Sequence, residues 1–282
     1  MSINNTLIEW ALNPDGTQGY TWNPITGCLN CTAEGLCKGG MFPCWAYRLA
    51  NGRLKDRYLA NHNIANPMRT GRRDDIEAEA MEIMSNPFYP RFWEERLMKM
   101  DLSIQVGKGV FVCDMSDLFG IGIPLEWTNK VLTTIEWNPR NRFYLLTKQP
   151  QNLIKFSPFP DNCFVGVSAT NSYAFINAID WLSEVEAKVK YISFEPLLDW
   201  ALPPTKNMFS VLNWVIIGAQ TKPTRYPKIE WVREIVEAAD QAGVSVFLKN
   251  SLRPRVEDAK ECSWAYSIDP DYTLRLRQEV PK

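Results

Sequence analysis

The sequence predicts an α/β fold, a partial or full (β/α) barrel of the TIM-like kind, on three observations. Short apolar runs recur along the chain, and each ends in polar residues. Helix-like stretches separate them, so the order reads βαβα. The length of 282 residues, 45% of them hydrophobic and 12% aromatic, suffices for a large core and is normal for such a barrel. Continuous apolar strands of this type suit a parallel sheet covered on both faces.

Taken in order, a first strand is expected at Ile8–Ala11 or just before the cysteine-rich loop that begins near Thr21. Residues 45–100 then break the rhythm. They read as a long helical insertion with turns at Asn66-Pro67 and Asn86-Pro87, inside one domain spanning residues 1–282. Val110–Cys113 is the next strand, and Pro124 opens a helix over Leu125–Trp137. Arg142–Leu146 and Cys163–Val167 are strands, followed by a helix over Ser172–Val185. Strands at Lys190–Phe194 and Trp214–Ile217 precede a helix over Ile229–Ala242, which Gly243 stops. Val244–Leu248 is the last strand, and residues 253–282 read as an irregular tail.

The polar ends of these strands matter because the C-terminal ends of parallel barrel strands face one mouth. Asp114, Ser116, Asp117, Lys148, Ser168, Glu195, Gln220 and Lys249 would gather there. The plainer alternative is helix capping, for which Ser168 and Asp117 are suited. No apolar run approaches the ~20 residues of a membrane span, and the first residues lack the pattern of a signal peptide. A cytoplasmic protein with no membrane partner is expected. His62 is the only histidine, which argues against a His-rich zinc site and a Ser-His-Asp triad. A net charge of −1 does not by itself call for a polyanion partner.

Four of the seven cysteines, Cys28, Cys31, Cys37 and Cys44, lie on one stretch rich in glycine and proline. Disulfides are uncommon inside cells, so the cluster points to metal or redox chemistry. Three readings fit. A structural zinc site would use all four thiolates, with Cys28-x2-Cys31 as a knuckle, although Cys37 and Cys44 are spaced more widely. A fully thiolate-ligated iron–sulfur cluster would transfer electrons. A 4Fe–4S cluster held by three cysteines would leave one iron open for a small molecule. Spacing alone does not choose. Cys113, Cys163 and Cys262 read as buried residues of the fold.

The surrounding residues narrow the choice. Thr21-Trp-Asn-Pro-Ile-Thr-Gly-Cys28, Cys44-Trp-Ala-Tyr47, Met115-Ser-Asp-Leu-Phe119, Leu146-Thr-Lys148, Gly166-Val-Ser168, Phe194-Glu-Pro-Leu-Leu198 and Trp214-Val-Ile-Ile-Gly218 resemble the phage-associated radical S-adenosylmethionine-like proteins. That family, of largely unknown function, occurs in phages, bacteria and archaea and is distantly similar to spore photoproduct lyase. The resemblance implies a 4Fe–4S cluster on Cys28, Cys37 and Cys44, with Cys31 a spare thiol or a fourth ligand. It implies S-adenosyl-L-methionine as cofactor, an external electron donor, and reductive cleavage to a 5′-deoxyadenosyl radical that takes hydrogen from substrate. Lys148 and Ser168, then Ser116, are the implied partners of S-adenosylmethionine, with Asp114, Asp117 and Gln220 completing the cofactor set. Glu195, near the ribose or substrate, and Lys148 are the implied catalytic residues. The family's Gly-Gly-Glu-Ser-Gly turn appears here as Gly218-Ala-Gln-Thr-Lys222, without its acidic residue. The competing function is a non-catalytic iron–sulfur or four-cysteine zinc protein acting as a binding module.

Arg48, Arg53, Lys55, Arg57, Arg69, Arg72 and Arg73 make a basic stretch interleaved with Tyr47, Tyr58 and His62. Arginines among aromatics grip single-stranded or flipped bases, so a nucleic-acid substrate is one expectation. An ordinary solvated helical face is the other.

Overall fold

The computed structural model describes residues 3–30, 44–65, 80–98, 106–201, 204–259, 261–268 and 271–281. The chain divides into two compact units, Met1–Leu7 with Ala11–Asn152, and Ile8–Trp10 with Leu153–Lys282.

The first unit begins with β1 (Ile3–Asn5), which pairs antiparallel with β2 (Tyr20–Trp22). β2 is thus the strand expected just before the cysteine loop. The other expected position, Ile8–Ala11, lies between β1 and β2 and is not a strand. β3 (Ile25–Thr26) follows, then the short helices α1 (Trp45–Ala50) and α2 (Lys55–Leu59). β4 (Arg91–Phe92) returns to pair antiparallel with β3. The expected insertion over 45–100 therefore contains α1, α2 and further helical residues at 80–85 and 95–98, but also a strand. The turn at Asn86-Pro87 is present, where the Asn86 side-chain oxygen accepts from the Phe88 N–H at 2.8 Å. The turn expected at Asn66-Pro67 lies outside the described residues. β5 (Gly109–Val112), α3 (Leu125–Glu136) and β6 (Arg142–Thr147) complete the unit, with β2–β5 and β5–β6 parallel. Every residue of β5 is buried, which is why its sequence is continuously apolar rather than alternating.

The second unit runs β7 (Cys163–Ser168), α4 (Ser172–Glu184), β8 (Val189–Phe194), α5 (Lys206–Phe209) and β9 (Trp214–Ile217). A small hairpin of β10 (Gln220–Thr221) and β11 (Thr224–Arg225) leads into α6 (Ile229–Ala242) and β12 (Ser245–Leu248). β7–β8, β8–β9 and β9–β12 are all parallel. α6 buries Val232, Ile235, Val236 and Ala239, the stripe its 3.6-residue period sets against the sheet. The tail expected to be irregular instead holds α7 (Arg253–Glu257) and the antiparallel pair β13 (Tyr266–Ile268) and β14 (Leu274–Leu276). These elements are too short to show a period. The tail is held by tertiary bonds, Leu248 N–H to the Arg277 carbonyl at 2.8 Å and Arg277 to Asp240 and Glu279.

The strands run in the order β1-β2-β5-β6 in the first unit and β7-β8-β9-β12 in the second. The fold is thus α/β with a large, mainly parallel central sheet. The partial or full barrel expected from the sequence is not shown as a closed barrel. No helix among the described residues is long and apolar enough to cross a membrane.

Candidate functional site

In the first unit the polar groups collect where β2 and β5 end. Gly27 has φ +83°, and the carbonyls of Phe88 and Tyr89 occupy the space a side chain would need, so only glycine fits ahead of Cys28. The Gly27 N–H donates to the Met115 carbonyl and the Cys28 N–H to the Phe88 carbonyl, both at 2.9 Å. The Ser116 hydroxyl donates back to the Gly27 carbonyl. Ser116 is thus committed to holding the start of the cysteine loop.

Cys28 and Cys44 pack against one buried cluster of Ala46, Ala50, Tyr58, Phe88, Trp93 and Met115. The Cys28 sulfur accepts the Asn30 N–H and the Cys44 sulfur the Tyr47 N–H, each at 3.4 Å. Backbone N–H donors to sulfur are among the contacts that tune iron–sulfur clusters. Cys31 and Cys37 lie outside the described residues. Among the described residues no three His, Cys, Asp or Glu side chains group as a metal site.

Two aspartates anchor this region differently. Asp114 accepts from the Asn23 side-chain amide, and Asn23 in turn accepts the Met115 N–H at 2.9 Å. Burial pushes the Asp114 carboxyl up to about 6, against the pull of that Asn23 hydrogen bond. Asp117 accepts from the Asn30 side-chain amide at 2.7 Å and from the Lys148 backbone N–H at 2.9 Å. It therefore ties a residue two places after Cys28 to the end of β6, rather than capping a helix. Arg96 lies 3.9 Å over the Trp93 ring and donates to the Asn23 carbonyl, and burial pulls its guanidinium down to about 10. Cys113, at φ 61°, turns the chain out of β5. Its thiol is buried, as expected, and burial raises its pKa strongly.

In the second unit the parallel register places Gly166, Tyr191, Trp214, Phe247, Ser168 and Ser193 on one face. Glu195 and Lys249 extend that face just beyond β8 and β12. Lys249 donates to one oxygen of Glu195, forming an ion pair whose side chains are 14% and 29% exposed. The indole N–H of Trp10 donates to the other oxygen at 3.3 Å. Ser168 ends β7 opposite the buried Ser193. It does not cap α4, because Asn171 does, accepting the Ala174 N–H at 2.8 Å. Gln220 is buried and donates to the Pro223 carbonyl at 2.9 Å, while its side-chain oxygen has no partner among the described residues. Cys163 is a buried strand residue, whereas Cys262, expected to be buried, is only half-buried ahead of a short turn.

The structure therefore groups Cys28, Cys44, Ser116, Asp114, Asp117 and Lys148 in the first unit, and Ser168, Glu195 and Gln220 in the second. Asn23, Asn30, Trp10 and Ser193 were missed as site residues. Asn23 was within reach, since it sits inside the Trp-Asn-Pro motif that leads to Cys28. A family described as "Protein of unknown function (DUF5131)" matches residues 5–258. No curated protein and no solved structure matches the chain.

Proposed function

The chain belongs to the DUF5131 family, whose function is unknown, and from its own residues we propose that it is a radical S-adenosylmethionine enzyme. The observation that supports this most is the placement of Cys28 and Cys44 against one buried cluster, each sulfur accepting a backbone N–H. That donor chemistry fits a thiolate-bound cluster, with Cys37 as the third ligand and Cys31 outside the set. When bound, a 4Fe–4S cluster with an open iron supplies the electron, taken from an external donor, that breaks the sulfonium C–S bond.

The chain's residues bind and orient. In the first unit, the Lys148 ammonium pairs with the methionine carboxylate, a charge-assisted bond strengthened by partial burial. Asp117 sets the position of Lys148 by holding its backbone N–H and, through Asn30, the start of the cysteine loop. Asp114 lines the same region as a carboxyl partner for the amine, and the Ser116 oxygen, while its hydroxyl donates to the Gly27 carbonyl, can still accept from it. In the second unit, Glu195 is held by Lys249 and Trp10, and with Ser168 and Gln220 it offers hydrogen-bond acceptors.

Anaerobic reconstitution should give about four irons per chain, the stoichiometry of this cluster. Cys28→Ala, Cys37→Ala and Cys44→Ala should each lose it, and Cys31→Ala should keep it. Reduction with dithionite in the presence of S-adenosylmethionine should then release 5′-deoxyadenosine and methionine. Stoichiometric zinc without iron, or an intact cluster that binds no S-adenosylmethionine with Lys148→Ala indistinguishable from wild type, would overturn the proposal in favour of a binding module.

A further inference from the structure

We propose that the outward face of α1 and α2 is a binding platform for single-stranded nucleic acid. This deepens the preceding reading by naming its substrate class, and rests on it only for the adjacency of Trp45 to Cys44. Along α1, 100° per residue turns Ala46 and Ala50 inward, where both are buried. Trp45, Tyr47 and Arg48 are left on the outer half. Trp45 is 46% and Tyr47 47% exposed, a large aromatic area to leave in water on one short helix. Tyr47 stands edge-on to Phe88 at a centroid distance of 5.4 Å, so its orientation is set before anything binds.

The charge beside these rings has one sign. Residues 45–59 carry Arg48, Arg53, Lys55 and Arg57 against the single carboxylate of Asp56, in a chain whose net charge is −1. All four cations are exposed. The Arg57 guanidinium lies 5.9 Å from the centre of the Trp93 ring, which braces it from below. Exposed rings that can take a base on their faces, set among cations that can pair phosphates, are the two parts of a single-strand site. A duplex supplies the phosphates but keeps its base faces covered. The rings therefore select the single strand.

The test is fluorescence anisotropy with labelled oligo-dT, oligo-rU and a duplex, each about fifteen nucleotides long. The full chain is used, with its iron content measured alongside. The wild type should bind a single strand more tightly than the duplex, and the dT and rU arms distinguish DNA from RNA. Trp45→Ala and Tyr47→Ala should each weaken binding by about fivefold or more, the usual effect of losing one stacked base. Arg48→Ala and Arg53→Ala should each lower the slope of log affinity against log salt by about 0.7. All four positions are exposed, so melting curves should match wild type. Binding no tighter to single strands than to duplex, or affinity unchanged in both aromatic variants, overturns the inference. The two readings fail separately. A chain that binds the oligonucleotide through Trp45 and Tyr47 but never cleaves S-adenosylmethionine overturns the enzyme and keeps the platform. Cleavage with unchanged binding in the aromatic variants does the reverse.

Discussion

Gly166→Ala should be among the most damaging single-methyl additions in the second unit. A Cβ at Gly166 would fall onto the ring of Tyr191, its register neighbour on β8. Non-bonded carbons prefer to sit ~3.5–4 Å apart, so the ring would have to move by more than about an ångström. It has nowhere to go. Tyr191 is fully buried, with Trp214 at 5.4 Å and Trp10 at 6.1 Å between ring centres, and Trp10 itself packs edge-on to Trp214. Overpacking usually costs ~1–3 kcal/mol, and a ring locked among other rings belongs at the upper end, about 3 kcal/mol. For a chain of this size each kcal/mol lowers Tm by ~2–4 °C, so a fall of about 6–12 °C is expected. Differential scanning fluorimetry or calorimetry measures it directly. The double variant Gly166→Ala/Tyr191→Ala supplies the control, because without the ring the added methyl should cost less than about 1 kcal/mol. A Gly166→Ala protein melting within about 2 °C of wild type would refute the steric argument.

The remaining predictions concern the polar groups. The Asp114 carboxyl rises from 3.8 to about 6 on folding, so ionising it costs the native state about 3 kcal/mol, absent below about pH 4 and fully incurred once pH passes about 6. Asp114→Asn, which stays neutral and still accepts from Asn23, should therefore match wild type in urea unfolding at low pH and exceed it at neutral pH; a difference independent of pH would show the burial argument to be wrong. Lys249→Met strips Glu195 of its partner in a half-buried setting, between the exposed and buried limits for ion pairs, and should destabilise by about 1–3 kcal/mol. Adding Glu195→Gln should recover most of that loss, and no recovery would mean the pair is not coupled. Asp117→Ala should loosen Asn30 and the end of β6 together, raising hydrogen exchange at the Lys148 N–H and lowering S-adenosylmethionine affinity while Lys148 is still present.

The strands and long helices were legible because their signals are local. Val110–Cys113, Arg142–Leu146, Cys163–Val167, Lys190–Phe194, Trp214–Ile217 and Val244–Leu248 each lie within about one residue of the strand observed, and Ile229–Ala242 matches its helix. A parallel strand buried on both faces must be continuously apolar, and a helix that ends at Gly243 shows its stop in the sequence. The polar residues at the strand ends were visible for the same reason. Their partners were not. Lys249 meets Glu195 from 54 residues away, and Trp10 meets it from 185. Asn23 reaches Asp114 across 91 residues, and Arg96 settles on Trp93 instead of pairing in solvent. Whether a serine caps a helix or faces a neighbouring strand depends on which strand lies beside it, as Ser168 beside Ser193 shows. The short pairs β3–β4 and β13–β14 likewise carry no period of their own and exist through tertiary bonds. Local pattern records which surface a residue must bury, because each residue meets that cost where it stands. The identity of its partner is set by register and by side-chain direction across strands, and those exist only once the chain has folded.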